Sequence, residues 1–128
     1  MPTKYYNKKV EYDGRKFDSI AERDRYKYLV LLQKAGEIRG LSCQQRFDLH
    51  TPQRNLFTEQ IGKDIVKVCT YVADFVYEEI VYVDKMPSWV MVVEDVKGQR
   101  TAVYKLKKKW MKFEYGIDIR EIVRGRVV

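Results

Sequence analysis

The chain has 128 residues, enough for one domain with a real core and too few for two. With 45% hydrophobic and 34% charged residues, and neither a low-complexity tract nor an internal repeat, it reads as globular rather than disordered or fibrous. The formal net charge of +7 favours a polyanionic partner, while no apolar run approaches the roughly 20 residues of a transmembrane helix.

The opening residues, MPTKYYNKKV, lack the apolar stretch of a signal peptide, so cytoplasm is the expected location and a membrane is not expected as a partner. One domain over residues 1–128 is expected, with residues 1–18 as an N-terminal hairpin extension. That hairpin runs from Lys8 to Tyr12, turns at Asp13-Gly14, where both positions tolerate positive φ, and returns from Arg15 to Phe17. A helix follows. Ser19 can cap it, Glu22 stands in capping-box spacing, and Ile20, Tyr28, Leu31, Leu32 and Ala35 recur at helical intervals up to Gly36. Glu37 to His50 offers a strand, clearest where Phe47 and Leu49 alternate with charge, and a polar loop is expected from Thr51 to Lys63. Cys43, Cys69 and the single His50 do not make up four zinc ligands at the usual spacings, so the cysteines are expected to be reduced core residues.

Two stronger strands come next, Asp64 to Val81 and Ser88 to Lys97, joined by a turn around Asp84-Lys85-Met86-Pro87. Both carry apolar residues on both parities, as central strands do: Val72 and Val76 share Asp74's parity, and Tyr71, Ala73, Phe75 and Tyr77 take the other. In the second strand Trp89, Met91 and Val93 share a face with Asp95 and Lys97, opposite Val90, Val92 and Val96. Thr101 can cap a second helix from Ala102 to Glu114, with Val103, Leu106, Trp110 and Phe113 as its apolar stripe and Gly116 closing it. Ile117, Ile119 and Ile122 suggest a last strand. The predicted core order is helix, three strands, helix, strand: an α/β or α+β fold with helices flanking a small mixed sheet.

Asp74, Asp95 and Lys97 lie inside the apolar runs YVADFVY and WVMVVEDVKG, where a charge needs a reason. With the turn centred near residue 85, positions paired across the hairpin sum to about 170; an odd sum puts Asp74 on the face of Asp95 and Lys97, and an even one separates them. Two carboxylates brought this close must gain a proton or a cation. Oxygen ligands suit Mg²⁺ or Mn²⁺, which lower the pKa of a bound water, and Lys97 could position that water or offset developing charge on a phosphate. A salt bridge from either acid to Lys97 is the plainer alternative, but it leaves one negative charge unpaired. From Thr101 onward, eight Lys or Arg face three acids, which reads either as a phosphate-contacting surface or as a solvated helix face.

Asp74 on one strand and Asp95-Val96-Lys97 on the next, within this element order, resemble the PD-(D/E)xK nuclease superfamily. The stretch from DSIAERDRYKYL through QQRFDL and YVADFVY to VVEDVKGQRTAVYKLKKKW is similar to small phage-encoded nucleases grouped with Holliday junction resolvases. The resemblance covers residues 5 to 124 and implies a restriction-endonuclease-like core. It makes Asp74 and Asp95 metal ligands, the Val96 carbonyl a third, Lys97 the catalytic lysine, and Glu22 the acid carried on the first helix. Gln45 matches a polar residue of the first core strand, and Lys105, Lys107 and Lys108 are candidate nucleic-acid contacts. Ala73 stands where the named motif has proline. Glu94 competes with Asp95 as ligand, although alternation places only Asp95 on the face of Lys97. Glu22 can equally serve as capping-box partner of Ser19.

The resemblance thus implies a Mg²⁺-dependent (or Mn²⁺-dependent) endonuclease acting on branched or duplex DNA in phage or mobile-element recombination. A homodimer is expected, because paired cuts need two sites, and the host cytoplasm is its location if phage-encoded. The competing readings are a nuclease-like fold that binds DNA without cutting it, and RNA processing.

Overall fold

The computed structural model describes residues 9–51 and 65–128. Three tight hairpins organise it, each closed by two residues with left-handed backbone, the geometry that matches the twist of paired strands. Asp13 and Gly14 (φ 54° and 73°) join β1 (Val10–Tyr12) to β2 (Arg15–Phe17). After helix α1 (Ile20–Lys34) and strand β3 (Ile38–His50), Asp84 and Lys85 (φ 51° and 66°) join β4 (Lys67–Val83) to β5 (Met86–Val96). Helix α2 (Ala102–Tyr115) precedes the third hairpin, in which Arg124 and Gly125 (φ 52° and 76°) connect β6 (Arg120–Val123) to β7 (Arg126–Val127). The expected turn over residues 84–87 is therefore shorter than predicted, and Pro87 lies in β5 opposite Tyr82. The expected loop from Thr51 to Lys63 falls almost wholly outside the described residues, and β7 was not anticipated.

The fold is mixed α+β: a five-stranded sheet in the order β3-β4-β5-β6-β7, with two helices and the separate β1-β2 ribbon. All neighbours are antiparallel except β5 and β6, which run parallel because α2 carries the chain back across the sheet. β4 and β5 are both interior strands, as their two-sided apolar patterns predict.

Each helix covers one core. Phe47, Leu49, Tyr71, Val93, Met111 and Ile119 pack on the α2 side, and Phe17, Tyr26, Leu29, Phe75, Tyr77 and Val92 on the α1 side. Residues two apart in a regular strand share a face, yet Ala73 belongs to the first core and Phe75 to the second. The alternation therefore breaks at Asp74. Across from it, Gln44 adopts φ 56°, a left-handed conformation uncommon for a residue with a Cβ.

Each predicted helical stripe meets the core only in part, through Leu32 on α1 and Trp110 on α2. On α1, Ile20, Tyr28 and Leu31 are exposed, while Glu22, Arg25, Tyr26 and Leu29 are buried. On α2, Val103, Leu106 and Phe113 are exposed, and Tyr104 and Met111 face the sheet. Polar anchors set these orientations. The Arg25 guanidinium forks the buried Glu94 carboxylate at 2.9 and 2.6 Å. Trp110 Nε1 donates to the His50 carbonyl at 2.9 Å and Tyr115 Oη to the Asp48 carbonyl at 2.5 Å. The caps fall where expected, with Ser19 Oγ accepting from Glu22 N–H and Thr101 Oγ1 from Tyr104 N–H.

Candidate active site

The β4–β5 ladder carries the register Phe75↔Glu94, an odd sum, so continuing it by one residue brings Asp74 across from Asp95. Pairing between these strands stops there. β4 continues only alongside β3, while Asp95 and Val96 pair with Glu121 and Ile122 of β6. Asp74 occupies the fork, and its Oδ2 accepts the Val96 N–H at 2.8 Å.

The fork is the floor of a cleft of about 630 Å³ bordered by the start of α1 and by the β6–β7 turn. Four carboxylates line it, Asp18, Glu22, Asp74 and Asp95, with Lys97 and Arg124 as the cations. Asp74 and Asp95 face each other across the fork closely enough for their charges to repel. Burial, and then the charges of Asp95 and Glu22, push Asp74 up to about 8. Burial, followed by Asp18, pushes Glu22 up to about 7. Without a cation, then, the cluster relieves its repulsion by holding protons.

Asp95 is the best-anchored acid. It is 3% exposed, and it accepts from Tyr71 Oη at 2.6 Å and pairs with Lys97 Nζ at 3.0 Å. Burial and the Asp95 charge hold the Tyr71 hydroxyl far above its ordinary pKa, so it remains a donor. Lys97 Nζ also sits 3.9 Å from the centroid of the Tyr104 ring, a cation–π contact that fixes the other end of the lysine. Tyr104 Oη in turn donates to buried Glu121, which Arg100 and Lys108 neutralise at 2.6 and 3.2 Å.

Glu94 takes no part in the cleft. It is fully buried on the opposite face, held by Arg25 and by a short hydrogen bond from Tyr77 Oη. Strand alternation thus decides between the two neighbouring acids as the sequence suggested. At Glu22 the backbone N–H is capped by Ser19, while the carboxylate lines the cleft and accepts from Gln44 Nε2 at 3.1 Å.

The structure brings Glu22, Asp74, Asp95, Val96 and Lys97 together in one cleft and leaves the other candidates outside it. Gln45 Oε1 accepts from Ser42 Oγ at 3.0 Å. Gln44 instead reaches the acids, its amide lying 3.4 Å from Asp74 Oδ1 as well as on Glu22. Its position across from Asp74 is the only signal for it, and it needs the β3–β4 register. Lys107 Nζ is bound to the Thr70 carbonyl at 2.9 Å, whereas Lys105 and Lys108 border a shallow basic hollow along α2. Tyr71 and Arg124 were not singled out in sequence either, because a tyrosine in an apolar strand reads as core.

Among the described residues no three His, Cys, Asp or Glu side chains are drawn into a ready metal-holding group. Three of the carboxylates lining the cleft, one of them held by Gln44, nevertheless supply hard oxygen donors that fit Mg²⁺ or Mn²⁺, which bind through one or two carboxylates and keep their waters. Also among the described residues, no helix is long and apolar enough to cross a membrane.

Fold and cleft together define a small mixed α+β protein with an acidic, lysine-bearing site at a strand fork. Residues 2–125 match the family described as "Protein of unknown function (DUF1064)", and the chain belongs to that family. No curated protein and no solved structure matches it significantly.

Proposed function

We propose that the protein is a Mg²⁺- or Mn²⁺-dependent DNA endonuclease of the PD-(D/E)xK type, directed to branched DNA in the manner of a Holliday junction resolvase. The observation that carries this reading is the convergence of Asp74, Asp95 and Glu22 with Lys97 in one cleft of a basic protein. Asp74 and Asp95 would hold the cation, with the Val96 carbonyl and Glu22 beside them. When bound, the cation supplies Lewis-acid polarisation of the phosphodiester and acidifies a water. Tyr71 and Lys97 hold Asp95 in one orientation from two sides. Lys97 is placed to counter the negative charge that grows on phosphate oxygens as water attacks phosphorus. Gln44 orients Glu22 toward Asp74 from the neighbouring strand. A homodimer accounts for paired cuts on a branched substrate.

Incubating branched and linear DNA with Mg²⁺ tests the proposal. Asp95→Asn and Lys97→Met should each lower cleavage about a hundredfold or more. If neither changes cleavage, the reaction does not use this cleft; if the wild type cuts no DNA or RNA with any divalent ion yet binds DNA, the protein is a binding module.

A further inference from the structure

A second cavity, of about 850 Å³, lies between the exposed side of α1, strands β3 and β4, and the β6–β7 hairpin. It borders the acidic cleft directly, since Ala21 and Arg124 line both. Ala21 presents only a methyl group there, so the passage over α1 from one cavity to the other is low.

The walls combine two chemistries. Ile20 and Tyr28 are each 50% exposed and Val127 56%, so the groove carries an exposed apolar patch of the kind that marks binding sites. The Arg25 guanidinium lies 5.0 Å from the centroid of the Tyr28 ring and props that ring at the edge of the groove. The remaining charge is mostly guanidinium. Arg25 is committed to Glu94, and Arg120 forks Glu79 at 2.8 and 3.1 Å. Asp24 on the rim pairs with Arg23 at 3.0 Å. Arg124 and Arg126 are exposed and have no acidic partner among the described residues.

A ligand for such a groove needs a flat apolar face for Tyr28 and anionic groups for Arg124 and Arg126. We infer that the groove binds an unpaired nucleotide strand, with a base against Tyr28 and phosphates at Arg124 and Arg126. Paired bases are stacked inside a duplex and offer no face to a tyrosine in a hollow, whereas a single strand does. The shared wall at Arg124 leads this strand out of the acidic cleft. Its relation to a scissile bond rests on the nuclease reading; the binding itself does not.

Fluorescence anisotropy in EDTA tests the inference without any cleavage. An oligothymidylate of about 10 nucleotides should bind wild type, and Tyr28→Ala should weaken that binding about tenfold while Tyr28→Phe preserves it. An abasic oligomer of the same charge should bind wild type about as weakly as the oligothymidylate binds Tyr28→Ala. Arg126→Gln should lower the slope of log affinity against log salt by about one. Far-ultraviolet circular dichroism checks that the variants are folded. Equal binding of oligothymidylate by wild type and Tyr28→Ala would overturn the inference, as would equal binding of the abasic oligomer. A protein that binds as stated but never cuts DNA would sink the nuclease reading and leave the groove standing.

Discussion

Replacing Arg25 with alanine should cost about 3 to 5 kcal/mol of stability. The magnitude follows from what is left behind. Glu94 is fully buried, and Arg25 supplies two of its three hydrogen bonds, at 2.9 and 2.6 Å. Each charge-assisted bond contributes about 1.5 to 3 kcal/mol, and the carboxylate loses both of those from Arg25 at once. Tyr77 Oη still donates to it, which places the expected cost toward the lower end of the range. For a domain held by some 5 to 15 kcal/mol, that is a large fraction of the total. Urea unfolding followed by the fluorescence of Trp89 and Trp110 gives the midpoint and slope needed. The double variant Arg25→Leu, Glu94→Leu removes both charges and should recover most of the loss, because an apolar replacement leaves nothing unsatisfied. A cost below about 1 kcal/mol for Arg25→Ala, or a double variant no more stable than the single one, would refute this account of what orients α1.

Other consequences can be checked separately. Gln44→Ala should leave the melting temperature nearly unchanged yet lower the proposed cleavage at least about tenfold, since it releases Glu22 and Asp74 without touching substrate. Lys85→Gly should stabilise the protein by about 0.5 to 1 kcal/mol in chemical denaturation, because a glycine takes φ 66° without the Cβ strain that Lys85 bears. Arg120→Gln tests pH linkage. The Arg120 hydrogen bonds hold Glu79 below its ordinary value of 4.5, so the stability they contribute is complete above that pH and is lost as pH falls through the folded value. The gap in melting temperature between wild type and Arg120→Gln should accordingly be constant from pH 7 to about pH 5 and close in stronger acid; a gap that widens in acid would contradict the assignment.

Most of the sheet and the heart of the cleft could be read from sequence. β4 and β5 announce themselves by apolar residues on both parities, and Asp74 and Asp95 stand out because charge is rare there. Hairpin counting then narrowed their meeting to one choice of parity. The helix faces were harder to read. A periodicity count treats Glu22 and Arg25 as outward, but both point inward, one to the cleft and one to a buried partner 69 residues away in sequence. On α2 Lys107 reaches the Thr70 carbonyl on the sheet side, while Val103, Leu106 and Phe113 of the apolar stripe are left exposed. Gln44 escaped notice for a different reason. Its role depends on a left-handed kink that no residue type signals when a glycine is not used.

The Asp84-Lys85 turn has a bearing on how this protein can change over evolutionary time. Because two residues close the hairpin, the twenty-one-position spacing from Asp74 to Asp95 acts as a parity lock. A one-residue insertion on the β5 arm would turn Asp95 away and present Glu94 to the cleft, and one on the β4 arm would set Val96 across from Asp74. Growth or shrinkage of the hairpin tip by one residue on each arm together would leave the cleft untouched. Length variation here is therefore restricted to matched pairs, whatever residues fill the exposed tip.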